Sequence, residues 1–580
     1  MREAQPLPIA LSLPQPRPRA AVDKRVVFIS ALAILLALVA GYVAELLGAL
    51  IALVTNLAFY GRLSFGHVSP ASNSLGAWVI VIPAIGGLIV GLMARYGAKA
   101  IRGHGIPEAM EQVLLNRSRI APRVTLLKPL SAAIAIGTGG PFGAEGPIIA
   151  TGGALGSLLG QLIPTSAIER KTLLAAGAAA GMAATFGSPV SAVLLAIELL
   201  LFEYRPRSLI PVALAAASAT SVRFALSGGA PAFAMPMLAP PSGSAVASYI
   251  AIGAVVGVAS VLVTRAIYSV EDAFEKLPLH WMWWPALGGL VVGAVGLLAP
   301  RTLGVGYDNI EGMLSGALLP SAAASLCAFK FVSWAISLGS GTSGGTLAPL
   351  FTLGGGLGAL LGAALVPLGV DPRMAALVGM ASMFAGASRA LLASVVFAFE
   401  TTRQPIGLLP LLGGGAAAYL VSFLLMKNSI MTEKIARRGV RALGEYEADY
   451  LDRVRLTTYI TRPLVSLRAD DSPAQARQWL AEGGSTHQGF PVLDRDGCLI
   501  GVVSRRELLA GQAERVGALV QRRPVVVDEQ QSLRDAADAM ARERVGRLPI
   551  VERARPHHVL GIVTRSDLVE AHRERLAQHR

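Results

Sequence analysis

A mainly α-helical, polytopic membrane protein with a water-soluble α/β tail is the fold class the sequence predicts, on three observations. Of 580 residues, 53% are hydrophobic and only 15% charged, and the mean hydropathy is +0.56. Apolar tracts approaching or exceeding the roughly 20 residues that cross a bilayer recur up to about Gly439, repeatedly broken by glycine and proline. Beyond that point charge returns, and short apolar runs alternate with helix-like segments, as in a domain that folds in water.

In chain order, residues 1–24 are rich in proline and arginine and lack a cleavage-site pattern, so they read as a disordered basic arm rather than a removed leader. Residues 25–439 form the membrane body, in which tracts 26–59, 78–93 and 286–298 read as full or partial spans. Basic residues at span ends favour the cytoplasmic side. Arg2, Arg17, Arg19, Lys24 and Arg25 agree with Lys434, Arg437, Arg438 and Arg441, so both termini are expected in the cytoplasm; a bacterial-like plasma (inner) membrane is the expected location. A linker is expected at 440–455, followed by two small tandem modules at 456–513 and 514–575. Their duplication is visible in Gly501-Val502-Val503-Ser504-Arg505-Arg506-Glu507-Leu508 against Gly561-Ile562-Val563-Thr564-Arg565-Ser566-Asp567-Leu568.

The net charge of +14 invites a nucleic-acid partner, but the positive charge is spread over segments beside the spans, with no basic patch interleaved with aromatics. Topology and anionic lipid account for it better. Cys327 and Cys498, the two cysteines, fall in different regions and suggest neither a disulfide nor a metal site. An intramembrane enzyme would need a nucleophile and base or a metal cluster, and the few polar residues of the body supply none.

Gly143-Ala144-Glu145-Gly146-Pro147 places a carboxylate in an apolar tract. An ionisable group at bilayer depth costs roughly 2.5–3.5 kcal/mol on insertion scales and marks ion or proton pathways, so Glu145 is a candidate gate or proton carrier. Gly105-Ile106-Pro107, Glu145-Gly146-Pro147 and Leu347-Ala348-Pro349 share one grammar, ending in a proline that fits the first turn of a helix. Each would start a helix inside the membrane, presenting unpaired amides and about half a positive charge. Converging starts make an anion site without a full cation; the alternative is ordinary kinks in a packed bundle. The body also repeats. Gly181-Met182-Ala183-Ala184-Thr185-Phe186-Gly187 leads to Glu198, and Gly379-Met380-Ala381-Ser382-Met383-Phe384-Ala385 leads to Glu400, so two homologous halves are expected, at about 25–230 and 245–439. Interrupted segments at matching places point to a transport site near the midplane.

These motifs resemble those of the CLC family of chloride channels and proton-coupled anion exchangers. The family forms GSGIP, GREGP and GxFxP appear in order as Gly103 to Pro107, Gly143 to Pro147 and Gly345 to Pro349, and the tail resembles paired CBS domains. The resemblance implies an inverted repeat of broken helices, a homodimer with one anion pathway per subunit, and no cofactor for transport. It implies that Glu145 is a gate whose carboxylate competes with chloride and swings away when protonated. It places Gly103, His104, Gly105, Ile106, Pro107, Gly146, Gly345, Thr346, Leu347 and Met431 around the anion, and Lys128 near the pathway.

Departures from the family pattern matter as much. His104 replaces a serine donor and Met431 a tyrosine donor, which leaves anion identity open, since imidazole donates and a thioether does not. A His104 facing the anion would make permeation pH-sensitive between about 5 and 8; the other reading is a packed histidine. The residue after Glu198, where exchangers of the family often carry an inner proton acceptor, is Leu199. Channel-like conduction gains weight from that, while Glu203 or water would serve a coupled exchanger. Glu198 and Glu400 also read as structural carboxylates. In the tail, Ser504 with Glu507 and Thr564 with Asp567 fit capping boxes; the resemblance to CBS pairs implies, beside that structural role, contact with an adenine nucleotide.

Overall fold

The computed structural model describes residues 22–439, 451, 454–460 and 463–578. The expected arm through residue 21, with Arg2, Arg17 and Arg19, and most of the expected linker, with Arg441, lie outside the described residues. Body and tail are separate compact units.

The first half of the body comprises α1 (Lys24–Tyr60), α2 (Val81–Tyr96), α3 (Ile106–Leu115), α4 (Pro122–Gly137), α5 (Glu145–Leu162), α6 (Ala167–Phe186), α7 (Pro189–Leu195) and α8 (Pro206–Ser227). The second comprises α9 (Gly243–Glu275), α10 (Trp284–Leu298), α11 (Tyr307–Ser315), α12 (Pro320–Gly339), α13 (Leu347–Ala364), α14 (Pro372–Ser388), α15 (Leu391–Thr402) and α16 (Leu408–Leu425), with the short α17 (Glu433–Ala436) after it. Among the described residues, eight helices are long and apolar enough to cross a membrane. Prolines open α4, α7, α8, α12 and α14 within their first turn, where a missing N–H costs nothing.

From Lys128 onward the two halves superimpose in sequence at one residue offset, which carries Lys128 onto Lys330, Gly152 onto Gly354, Gly177 onto Gly379 and Glu198 onto Glu400, while Gly103 to Ile106 matches Gly304 to Tyr307 at an offset one residue shorter. The crossing of α5 with α6 shows why. A Cβ on Gly152 would collide with the Gly177 carbonyl and one on Gly177 with the Gly152 carbonyl; Gly354 and Gly379 stand to each other in the same way on α13 and α14. This corrects the expected match of Gly181 with Gly379. Gly181 lies one helical turn beyond the true counterpart, Gly177, and faces Ile148 instead. In a helix this rich in alanine and glycine, the same face recurs every turn, so composition alone slips the register.

The inversion is visible where the halves meet. Gly143 and Gly345, equivalent under that offset, form an antiparallel bridge to each other. The Gly143 amide donates to the Gly345 carbonyl at 3.2 Å and the Gly345 amide to the Gly143 carbonyl at 2.9 Å. A residue paired reciprocally with its own equivalent lies on a two-fold axis, the logic of an isologous contact.

In the tail, β1 (Leu467–Arg468), α18 (Pro473–Ala481), β2 (Gly489–Leu493), β3 (Leu499–Ser504) and α19 (Arg505–Ala510) form one module. The second is β4 (Val527–Asp528), α20 (Leu533–Glu543), β5 (Arg547–Glu552), β6 (Arg555–Thr564) and α21 (Arg565–Gln578). Each has a three-stranded sheet in chain order, its first pair parallel and its second antiparallel.

Candidate functional site

α3, α5 and α13 begin at Ile106, Glu145 and Leu347, as the three breaks predict. Their loops form one knot on the two-fold axis. Beside the Gly143–Gly345 bridge, Gly103 pairs with Ser343, and the Gly344 amide donates to the Gly103 carbonyl at 3.5 Å. A Cβ on Gly105 would collide with the Gly146 carbonyl, and one on Gly146 with the His104 carbonyl, so the backbones touch. Gly105 caps α3 at φ 96°, a conformation open to glycine, and its amide donates to Glu108 Oε2 at 2.6 Å. The positive ends of three helices thus converge without a full cation at their centre.

Glu145 is fully buried in this knot. Its Oε1 accepts from the Tyr307 hydroxyl at 2.7 Å, and the amides of Glu145 itself and of Ala348 act on the carboxylate. Oε2 has no hydrogen-bond partner and rests over Gly143, where a Cβ would collide with it. Thr346 Oγ1 and His104 Nδ1 are likewise buried without partners. A buried hydroxyl and imidazole without partners at converging helix starts are donors open to a small anion, since each is costly to leave unpaired, whereas the free Glu145 oxygen is itself the anionic group there.

Two buried lysines brace the knot from outside. Lys128 Nζ donates to the carbonyls of Ile101 and Gly103, both at 2.8 Å. Lys330 Nζ donates to the carbonyls of Thr302 at 3.0 Å, Gly304 at 2.8 Å and Val305 at 3.4 Å. Lys128 is among the residues expected near the pathway, whereas Lys330 and Tyr307 are not. The signal that would have found them is Gly304-Val305-Gly306-Tyr307, a second copy of Gly103-His104-Gly105-Ile106, with one lysine following each.

Cavities approach the knot by two faces. A cavity of about 530 Å³ is lined by Gly103, His104, Glu108, Arg102 and Lys434, and another of about 220 Å³ by Gly306 and Tyr307. Glu145 is bonded to Tyr307, which lines the smaller cavity, and its neighbour Gly146 packs against the carbonyl of His104, which lines the larger. Met431 is fully buried in the apolar cluster that includes Ile106 and Leu347. A tyrosine hydroxyl stands beside it from another helix, because Tyr268 Oη donates to the Ile430 carbonyl at 2.8 Å.

A sequence model of the voltage gated chloride channel family matches residues 86–423, and CBS-domain models match 456–514 and 516–574. The chain belongs to the CLC family. It is 30% identical to the H(+)/Cl(-) exchange transporter ClcA of Vibrio campbellii over 64% of this chain and 82% of that protein. It is 29% identical to the voltage-gated ClC-type chloride channel ClcB of Citrobacter koseri over 65% of this chain and 91% of that one. The fold is also that of a slow cyanobacterial Cl-/H+ antiporter, with a TM-score of 0.63 and 22% identity over 70% of this chain and 97% of that one. Anion transport by a multi-span membrane body with a CBS tail is therefore this chain's family activity; the family is one of channels and transporters rather than classical enzymes.

Within this CLC frame the remaining candidate residues lie away from the knot. Glu198 accepts the amides of Leu392 at 3.0 Å and Ala393 at 2.9 Å, and Glu400 those of Val190 at 3.0 Å and Ser191 at 2.8 Å. Each carboxylate caps the helix of the opposite half. Leu199 is buried in a π-helical turn, Ala196–Leu201. Glu203, just past that turn, accepts from Ser208 at 2.7 Å and pairs with Lys171 at 3.5 Å. In the tail, Ser504 and Glu507 form the expected capping box. Asp567 Oδ2 accepts from both the amide and the hydroxyl of Thr564, at 2.7 Å each, so both carboxylates serve their own helix starts.

Proposed function

We propose that the chain conducts chloride or a related small anion passively across a plasma (inner) membrane, with Glu145 as its gate. The observation that carries this reading is a fully buried carboxylate at three converging helix starts, bonded to a tyrosine that lines one cavity and next to a glycine packed on the loop that lines another. Ionised, it occupies the amides an anion needs; protonated, it loses its hold on them. Gly103, His104, Gly105, Ile106, Pro107, Gly146, Gly345, Thr346, Leu347 and Met431 surround the anion in this reading, with His104 facing the larger cavity in place of the family serine. Leu199, an apolar side chain where exchangers of the family often carry a carboxylate, supports passive conduction. The functional unit is a homodimer with cytoplasmic termini. Residues 25–439 carry the flux, and the modules at 456–513 and 514–575 regulate it through an adenine nucleotide.

The test is anion efflux from liposomes across pH for the wild type and Glu145→Gln, which mimics the protonated gate. The substitution flattens the pH dependence; full dependence in the mutant rejects Glu145 as the gate. Proton-coupled exchange is the second reading, favoured by the carboxylate of Glu203 close after Leu199. A reversal potential that moves with a proton gradient selects it over passive conduction.

A further inference from the structure

The geometry points to Tyr307 as the latch of the gate: its hydroxyl holds the Glu145 carboxylate in the blocking position, and Lys330 holds Tyr307. This rests on the reading of Glu145 as the gate. The bond, at 2.7 Å, is of the charge-assisted class when the carboxylate is ionised. It engages one oxygen only, because Oε2 is unpartnered. Breaking a single bond therefore frees the carboxylate from the residue that lines the smaller cavity.

The tyrosine itself is poorly placed to move. Its ring meets Phe186 and Phe233 edge-on at centroid distances of 5.9 and 5.7 Å, and Phe186 meets Phe397 at 5.0 Å. Tyr307 opens α11 immediately after Gly306, which caps the helix at φ 79°. The chain leading into it is pinned by the three carbonyl bonds of Lys330. Between a tyrosine held by its ring and by the loop before it, and a glutamate whose carboxylate makes one side-chain bond, it is the glutamate that swings.

The repeat locates the same pair independently. Lys128 pins the first-half loop as Lys330 pins the second, but the first-half loop opens its helix with Ile106, which has no hydroxyl, and the counterpart of Glu145 is Leu347. Gate and latch are therefore both positions where the two-fold pattern is broken, and they face each other across the axis. The charged groups acting on the pair are Lys330 from α12 and Arg223 from α8, whose guanidinium donates to the Thr185 carbonyl. α5 and α13 contribute backbone amides, and α6 contributes Phe186.

Chloride efflux from liposomes, measured from pH 4 to 9 for wild type, Tyr307→Phe, Glu145→Gln and the double variant, tests the latch. Phenylalanine keeps the ring in its aromatic cluster and removes the hydroxyl alone. Losing a donor to an ionised carboxylate moves the pH of half-maximal flux upward by about one unit, and the same substitution has no further effect on a Glu145→Gln background. Tyr307→Phe with a wild-type profile, or with an undiminished effect in the double variant, overturns the latch while the gate stands. Full pH dependence in Glu145→Gln alone overturns the gate reading and the latch with it. Lys330→Met, which removes the donors to the loop before Tyr307, shifts the profile in the direction of Tyr307→Phe; a folded Lys330→Met protein with the wild-type profile removes Lys330 from the inference.

Discussion

The two halves of the membrane body are made from the same parts and differ in few of the positions that matter. Lys128 and Lys330 each pin a loop of the knot, Gly152 and Gly354 each seat a helix crossing, and Glu198 and Glu400 each cap a helix of the opposite half. Against that background Glu145 stands opposite Leu347, and Ile106 opposite Tyr307. What repeats serves the scaffold, because an inverted pair of helical layers needs every brace twice. What fails to repeat is free to carry function: in the proposed reading a pathway that crosses the membrane also crosses the axis, and needs only one gate.

The comparison predicts paired outcomes for paired residues. The largest effect belongs to Gly152→Ala and Gly354→Ala, which drive a methyl into a backbone carbonyl of the facing helix. Each costs about 3 kcal/mol or more and collapses the yield of monodisperse protein; survival of one and loss of the other would break the equivalence. Lys128→Met and Lys330→Met follow at about 2–5 kcal/mol, since each strands buried carbonyls, read as matched falls in thermal midpoint. Here the pair separates in function, for only Lys330→Met also moves the pH profile of anion flux. Glu198→Gln and Glu400→Gln lose about 1–2 kcal/mol each, with the pH profile unchanged in both. The smallest effect extends the comparison to the tail: Ser504→Ala and Thr564→Ala cost about 1 kcal/mol of helix capping, visible in tail unfolding and absent from basal flux.

Much of the scaffold was legible because its parts have local signatures. Glycine followed by proline marks a helix start wherever it falls, and a carboxylate between glycines in an apolar tract is conspicuous at any depth. Lys128 was legible only through the family resemblance, which placed it near the pathway without saying that it holds the carbonyls of Ile101 and Gly103. Tyr307 was legible as a position, through the Gly304-Val305-Gly306-Tyr307 copy of Gly103-His104-Gly105-Ile106, but not as a partner, since a tyrosine opening a helix is unremarkable until its hydroxyl is seen on Glu145. The axis through Gly143 and Gly345 was likewise hidden, because sequence reports that two halves match and says nothing of their relative direction. The slip from Gly177 to Gly181 has the same root. Pattern within a small-residue helix is periodic, and only the facing backbone fixes which turn is the counterpart.

The crossed caps of Glu198 and Glu400 carry a consequence for biosynthesis. The amides of Val190 and Ser191 receive their acceptor from a residue made 210 and 209 positions later. Until the second half is made, the amides that open α7 lack the acceptor they have in the folded protein. Insertion of the two halves is therefore not a sequence of independent events. The first half cannot complete its own hydrogen bonding before residue 400 is made, and a chain arrested short of that point keeps these amides without their native acceptor.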